Sequence, residues 1–124
     1  MIFGIGTDII EVARMERHLS NSDALRNKLF TEREQAYADN KASTYQHYAA
    51  RFAAKEAFFK ALGTGYRFGM AFCEIEVIND ELGKPVIHAH GKVKLYIDKQ
   101  GIKSIHLSIS HVKEMANAFV VLEV

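Results

Sequence analysis

The sequence has very few of the residues that cross-link a fold or bind soft metals. Its 124 residues include one cysteine, one proline and no tryptophan. Cys73 has no partner for an internal disulfide, and no zinc or redox set of cysteines is present, which fits a reducing cytoplasm. We therefore expect the fold to be stabilised by a packed apolar core.

The sequence also lacks an excess of one charge and any long apolar run. The net charge is +1, so no overall field predicts a nucleic acid or a membrane as partner. The apolar residues 1–10 have no basic start and include Gly4, Gly6 and Asp8, so we expect neither a signal peptide nor a membrane span. The length suits one domain, which we place at residues 1–124.

A helix near the middle of the chain organises the sequence. Good helix formers and aromatic residues recur with a period of about 3.6 residues, and we predict a largely buried helix over Thr44–Leu62. Ser43 with Gln46 is a candidate N-terminal cap, and the turn Gly63-Thr64-Gly65 should end the helix.

Four charged residues lie within this apolar helix: Arg51, Lys55, Glu56 and Lys60. Buried charges are costly unless they are paired or bind a ligand. One interpretation is an internal Glu56–Lys60 ion pair, with Arg51 and Lys55 reaching out to water. The other is a ligand site that uses several of these charges.

The remaining elements surround this helix. We predict strands at Ile2–Ile10, Phe72–Ile78, Pro85–His90, Ser104–Ser110 and Met115–Val124, and helices at Val12–Ser20, Leu25–Phe30, Thr31–Asp39 (opened by a capping box) and Lys92–Gln100. One strand, then helices, then mainly strands is the order of an α+β domain. We expect a mainly antiparallel sheet packed around the long central helix.

The first strand places Gly4, Gly6 and Asp8 on one face. The missing side chains could leave an open floor beside the Asp8 carboxylate. Alternatively, the glycines could allow a helix to pack closely, with Asp8 at the end of the strand.

Asp8 and Glu56 are the carboxylates best suited to a metal. Oxygen ligands and the lack of a cysteine set favour Mg²⁺, which needs few protein ligands and completes its shell with water and phosphates. Arg51 and Lys60, placed around such a site, would neutralise phosphate charge. A Ser110–His111 hydrolase is disfavoured, because neighbours on a strand point to opposite sides and no Gly-x-Ser-x-Gly motif is present.

Three motifs carry a resemblance over nearly the whole chain. They are Gly4–Asp8, the run Arg51–Ala61 with Gly63–Gly65 after it, and Leu107–His111. In this order they resemble the short bacterial holo-acyl-carrier-protein synthases, the 4′-phosphopantetheinyl transferases of fatty-acid synthesis.

The resemblance implies a role for each matching residue. Asp8 and Glu56 would hold Mg²⁺. Within that reaction we assign Lys60 to stabilising the leaving phosphate, and Glu56, directly or through a metal-bound water, to receiving the proton of the acceptor serine. The implied coenzyme A contacts are Lys41, Arg51, Lys60, Gly63, Thr64, Gly65, Ser110 and His111.

The resemblance also implies partners. Members of the family form homotrimers with active sites at subunit boundaries, and a basic helix grips the acidic helix of acyl carrier protein. The matching surface consists of Arg14, Met15, Arg17 and His18, although Glu11 and Glu16 dilute its positive charge.

The predicted reaction is transfer of 4′-phosphopantetheine from coenzyme A to a carrier serine, with release of 3′,5′-ADP. Two other functions remain open from the residues alone. One is a magnesium-dependent phosphohydrolase or nuclease that uses the same acidic pair. The other is a regulatory module that binds a nucleotide or coenzyme A, in which Glu56 only pairs with Lys60. Lys55 has no predicted role.

Overall fold

Five α-helices and two antiparallel sheets make up the computed structural model, which describes residues 1–124. In chain order the elements are β1 (Ile2–Glu11), α1 (Val12–Ser20), α2 (Asp23–Leu29), α3 (Glu32–Asp39), α4 (Thr44–Leu62), a 3₁₀ turn (Phe72–Glu74), β2 (Ile75–Asn79), β3 (Pro85–Ala89), α5 (Gly91–Lys99), β4 (Ser104–His111) and β5 (Met115–Glu123). The predicted α+β class is confirmed.

Helix α4 lies at the centre of the fold. It packs most extensively against β1 and β5 of a three-stranded antiparallel sheet with the order β1-β5-β4, while β2 and β3 form a separate hairpin. Its predicted bounds are confirmed. Gly63 ends it with a left-handed φ of 79°, and the Gly63 amide donates to the carbonyl of Lys60 at 3.0 Å, as expected for a glycine C-cap.

Two glycines allow β1 to lie directly on α4. A Cβ atom added at Gly6 would overlap the carbonyl oxygen of Ala57, and one at Gly4 would overlap that of Ala61. The helix contributes small side chains at this crossing, where Ala57 is fully buried. The prediction of close helix packing is therefore confirmed, and the prediction of an open floor is wrong because backbone atoms of α4 occupy that space.

Several local expectations are corrected. Ser43 makes no capping hydrogen bond with its side chain, and the Gln46 side chain lies 2.8 Å from Nδ1 of His111 instead. The predicted strand from Phe72 begins only at Ile75, because a 3₁₀ turn precedes it. By contrast, the capping box at the start of α3 is present as predicted.

The sheet face that points away from α4 has no covering layer. Ile5, Ile9 and Phe119 lie on this face, and their exposed fractions are 68%, 64% and 56%. The β4 part of the face is polar, since it carries alternate serine and histidine side chains. An exposed apolar patch on a small protein usually marks an interaction surface. None of the helices is both long and apolar enough to cross a lipid bilayer.

Candidate functional site

Asp8, Glu56 and Lys60 come together where β1 crosses α4. Lys60 Nζ lies 3.2 Å from Oδ1 of Asp8 and donates a 2.9 Å hydrogen bond to the carbonyl of Thr7. The predicted Glu56–Lys60 ion pair is wrong, because the ammonium forms its ion pair with Asp8. The strand thus brings a distant carboxylate to the one on the helix.

The two carboxylates influence each other through their charges. Burial is the largest cause that raises the pKa of Glu56, the negative charge of Asp8 raises that pKa further, and the positive charge of Lys60 opposes both. One ammonium cannot neutralise two carboxylates, so the cluster carries an excess of negative charge. The structure holds no group of three or more histidine, cysteine or acidic side chains arranged for a metal. A pair of oxygen ligands nevertheless fits Mg²⁺, which usually keeps several waters or phosphate oxygens.

A second cluster gathers basic side chains around Tyr37 of α3. The Arg51 guanidinium lies 4.2 Å and the Lys41 ammonium 4.7 Å from the centre of the Tyr37 ring. The rings of His47 and His111 lie 5.2 Å apart. Burial lowers the pKa of His47, and the positive charges of His111, Arg51 and Lys41 lower it further. Arg51 and Lys41 therefore lie close together, and neither forms a salt bridge with an acidic side chain, which suits an anionic ligand.

Arg51 is the most rigidly held member of this basic cluster. Its Nη2 donates a 2.6 Å hydrogen bond to Oδ1 of Asn79 at the end of β2, and the side chain is only 3% exposed. The expectation that Arg51 reaches out to water is therefore wrong. Its Nε atom is buried without a hydrogen-bond partner, and burial lowers the pKa of the guanidinium. Arg51, His47 and His111 line a cavity of about 240 Å³. A phosphate in this cavity could accept hydrogen bonds from these side chains.

The two clusters lie on opposite sides of α4. Arg51 and Lys60 are nine residues apart, which places them about 180° apart around the helix and about 13 Å apart along it. The expectation that both surround one magnesium site is therefore wrong within a single chain. The basic cluster and the carboxylate cluster are separate in one copy of the protein.

Other predicted coenzyme A contacts lie apart from the basic cluster. Ser110 is exposed and pairs with Asn117, and strand alternation places it on the face opposite His111. The Gly63–Gly65 turn serves as the C-cap of α4, and the Thr64 hydroxyl donates to the carbonyl of Gly65.

A third feature is an apolar groove of about 350 Å³ beside α1 and α2. Arg14, His18 and Lys28 supply its basic residues, and the floor is formed by Ile10, Met15, Leu25, Leu29, Phe52, Tyr66 and Phe72. Met15 is only 2% exposed, so it belongs to the floor and is not the surface contact we expected. Arg17 is exposed but does not line this groove.

The groove opens beside the carboxylate cluster. Ile10 follows Asp8 by two residues on β1, so both point to the same face of the strand. Phe52 precedes Glu56 by one turn of α4, so both lie on the same side of the helix. A protein segment bound in the groove would therefore lie next to Asp8 and Glu56.

Four residues of these surfaces were not predicted from the sequence: Lys28, Tyr37, His47 and Asn79. Tyr37 lies on α3, whereas Lys41 lies in the loop after that helix. His47 stands one helical turn before Arg51 on α4, four positions earlier. That spacing was available as a signal. Lys28 and Asn79 had no local signal, because their neighbours in the site come from distant parts of the chain.

Comparisons with known proteins agree on one family. The family described as the 4′-phosphopantetheinyl transferase superfamily matches residues 4–119. A holo-[acyl-carrier-protein] synthase from Geotalea daltonii is 46% identical over 124 residues and 99% of each chain. The crystal structure of holo-[acyl-carrier-protein] synthase from Neisseria meningitidis superposes with a TM-score of 0.91 at 37% identity, again over 99% of each chain. The Bacillus anthracis enzyme, solved in complex with CoA (3′,5′-ADP), gives a TM-score of 0.80 at 41% identity over 98% of this chain and 96% of its own.

The coupling between the two carboxylates predicts a measurable change. Asp8→Asn should lower the pKa of Glu56, because it removes the negative neighbour that helps to raise that pKa. The pKa can be followed from the side-chain carboxyl resonance of Glu56 in an NMR titration. Because the pKa of Glu56 is raised in the folded state, its contribution to stability is full below its unfolded pKa and is lost as pH rises through the folded pKa. Asp8→Asn should reduce this loss.

Asp98→Asn is the matched control. Asp98 is an exposed carboxylate on α5 that pairs with Lys94, away from the cluster. Its substitution should leave the pKa of Glu56 unchanged. An equal effect of both substitutions, or no effect of Asp8→Asn, would contradict the coupling.

Proposed function

The chain belongs to the holo-[acyl-carrier-protein] synthases of the 4′-phosphopantetheinyl transferase superfamily, and on this basis we propose that it transfers the 4′-phosphopantetheine group of coenzyme A to a serine of apo acyl carrier protein, releasing 3′,5′-ADP. The observation that carries the proposal is the meeting of Asp8, Glu56 and Lys60 where β1 crosses α4. We assign residues 1–124 to this one transferase domain. With no cysteine pair that needs an oxidising compartment, we place the enzyme in the cytoplasm.

Asp8 and Glu56 would hold the magnesium ion. Their charges repel each other and only Lys60 is close enough to compensate, so a divalent cation would stabilise both in the ionised form. When bound, Mg²⁺ would supply charge neutralisation for the coenzyme A pyrophosphate.

The chemistry is an in-line displacement at phosphorus. The serine oxygen attacks the β-phosphorus of coenzyme A, a new P–O bond forms, and the bond to the α-phosphate oxygen breaks. Lys60 stabilises the negative charge that develops on the leaving phosphate. Glu56 receives the serine proton, through a water molecule when its own oxygens bind the metal.

The basic cluster would bind the remaining phosphate charge of coenzyme A. Arg51 offers donors at fixed positions, Lys41 adds positive charge, and His47 and His111 add imidazole rings around the same cavities. Guanidinium groups suit phosphate because two N–H groups can donate in parallel. The Ser110 hydroxyl and the Gly63–Gly65 turn lie apart from the basic cluster of their own chain. They remain candidate contacts to a coenzyme A molecule that is bound by the basic cluster of another subunit.

A homotrimer would bring the two clusters together. Within one chain Arg51 and Lys60 lie on opposite sides of α4, so one coenzyme A would reach both only if a second copy supplied one of them. The uncovered sheet face with Ile5, Ile9 and Phe119 offers an apolar surface for that assembly. We therefore place each active site at a boundary between subunits.

Acyl carrier protein would dock at the apolar groove beside α1 and α2. Arg14, His18 and Lys28 would pair with acidic side chains of the carrier, and the apolar floor would receive one of its apolar side chains. Arg17 extends the positive surface of α1. The position of the groove beside Asp8 would bring the carrier serine to the carboxylate cluster.

Mass spectrometry tests the reaction directly. Incubation with coenzyme A, Mg²⁺ and apo carrier should yield a carrier with a phosphopantetheine adduct, together with 3′,5′-ADP. Asp8→Asn and Glu56→Gln should each weaken the apparent magnesium affinity by about 10–100-fold. Asp98→Asn, which removes a distant carboxylate, should leave this affinity unchanged.

The same assay separates the alternatives. Release of 3′,5′-ADP from coenzyme A without any carrier would indicate a hydrolase. Tight binding of coenzyme A without magnesium and without turnover would indicate a regulatory module. Near-normal transfer by Glu56→Gln at limiting Mg²⁺ would contradict the metal site.

Charge reversal at the groove tests the carrier surface. Arg14→Glu should raise the KM for apo carrier by about tenfold, because it opposes an acidic partner, and should leave the KM for coenzyme A unchanged. Lys99→Glu reverses a charge on the distant helix α5 and serves as the control. A rise only in the KM for coenzyme A would show that α1 is not the carrier surface.

A charge on the uncovered sheet face tests the assembly. Sedimentation should show a trimer for the native chain and a monomer for Ile5→Lys, because a lysine buried in an apolar interface has no partner. The transfer activity of Ile5→Lys should also fall, because a monomer cannot complete a site that needs two subunits. Leu95→Lys places the same charge at an exposed apolar position of α5, 70% exposed, and should remain trimeric. A trimeric Ile5→Lys would contradict the use of this face.

A further inference from the structure

Lys55 is buried completely inside the fold, where the proposed reaction assigns it no task. Its ammonium donates three hydrogen bonds, to Oε1 of Glu34 at 2.8 Å, to the carbonyl of Phe72 at 2.9 Å and to the carbonyl of Ile75 at 2.7 Å. The exposed fraction of its side chain is 0%. All three N–H donors of the ammonium are therefore used within the protein.

Glu34 is buried as completely as Lys55, and both of its carboxylate oxygens accept hydrogen bonds. Besides Lys55, its Oε1 accepts the backbone N–H of Thr31 at 2.9 Å, which closes the capping box of α3. Its Oε2 accepts the backbone N–H of Val77 on β2 at 2.9 Å. The pair thus joins α3, α4, the 3₁₀ turn and β2 by directional bonds.

Three of the four elements held by this pair, α3, α4 and β2, each supply one residue of the Arg51 arrangement. Arg51 precedes Lys55 by one turn on α4, and Tyr37 follows Glu34 by three residues on α3, so each couple shares a helix side. Asn79 follows Val77 by two residues on β2. Arg51 lies against the Tyr37 ring and donates to Asn79. The relative placement of α3, α4 and β2 therefore decides where the guanidinium points.

From this geometry we propose that the Glu34–Lys55 pair positions Arg51 for binding the phosphates of coenzyme A, and that Lys55 itself touches no substrate. The inference rests on the proposed function, since it concerns the same phosphate site. A buried ion pair adds little net stability compared with apolar side chains of similar volume. Its distinctive effect is geometric, because hydrogen bonds fix distance and direction whereas apolar contacts allow elements to slide.

A direct contact between Lys55 and substrate would require the loss of existing bonds. The ammonium would have to leave three acceptors and an enclosed site, and Glu34 would remain buried without its partner. That loss is costly. Lys60, only five residues later, is 54% exposed at its side chain and is available for phosphate.

Glu34→Gln is the most specific test. Glutamine keeps the shape and one oxygen for Lys55, but its amide would turn a donor toward the N–H of Val77, so β2 loses this hydrogen bond and keeps only the one from Lys55 to Ile75. Equilibrium binding of coenzyme A, measured by calorimetry, should weaken by about tenfold or more. The KM for apo carrier and kcat at saturating coenzyme A should stay near the native values.

A double-mutant cycle separates positioning from general destabilisation. If Glu34 acts through Arg51, then Glu34→Gln should add no further loss of coenzyme A binding in an Arg51→Ala background. An undiminished additional loss would overturn the proposal. Ile97→Ala, which removes a buried side chain on α5, supplies a destabilised control that should bind coenzyme A normally at a temperature where it is folded.

A measurement on the native protein covers the case in which Glu34→Gln fails to fold. The Lys55 ammonium should give a slowly exchanging NMR signal that stays in place when coenzyme A is added, while the Lys60 signal shifts. A Lys55 signal that moves as far as that of Lys60 would overturn the proposal.

If the native protein neither binds coenzyme A nor transfers its arm, the proposed function fails. If it does both while folded Glu34→Gln binds coenzyme A normally, only the positioning role fails.

Discussion

The close crossing of β1 over α4 determines where Asp8, Glu56 and Lys60 lie. Glycine at positions 4 and 6 removes the side chains that would overlap carbonyl oxygens of the helix. The strand can then approach until Asp8 stands beside Glu56 and Lys60. The same approach turns the alternate side chains of β1, including Ile5 and Ile9, away from the helix. One steric condition thus produces both the carboxylate cluster and the uncovered apolar face.

The cations of α4 differ because the helix meets different neighbours on its different sides. Lys60 lies at the edge of the crossing and is half exposed. Lys55 is enclosed by α3, the 3₁₀ turn and β2 and is neutralised by Glu34. Arg51 is buried beside Tyr37 and Asn79 but borders a cavity. The same kind of charge is therefore exposed at the crossing, enclosed in a buried ion pair or placed at the edge of a cavity, according to what surrounds it.

Because the two clusters lie apart in one chain, a single ligand could contact both only in an assembly of several chains. Asp8 and Glu56 meet within one chain, yet the basic cluster around Tyr37 lies on the other side of α4. A substrate with several phosphates, such as coenzyme A, has charge enough for both clusters. Trimer formation through the uncovered face would explain why a small chain carries two incomplete sites and an unpartnered apolar surface. The groove near Arg14 would then leave each proposed site open to the carrier.

The sequence alone determined most of the elements and pointed to the two carboxylates that meet at the crossing. The bounds of α4, the capping box of α3 and the α+β order follow from local signals such as capping residues, glycine and periodicity, which act over a few positions. Asp8 and Glu56 were found because carboxylates among apolar residues and glycines are conspicuous. Tertiary structure alone decided which charges meet: Lys60 with Asp8 rather than Glu56, Lys55 with Glu34, and Arg51 with Asn79. These pairings join residues far apart in the chain, and their energies depend on burial and direction, which no local pattern records.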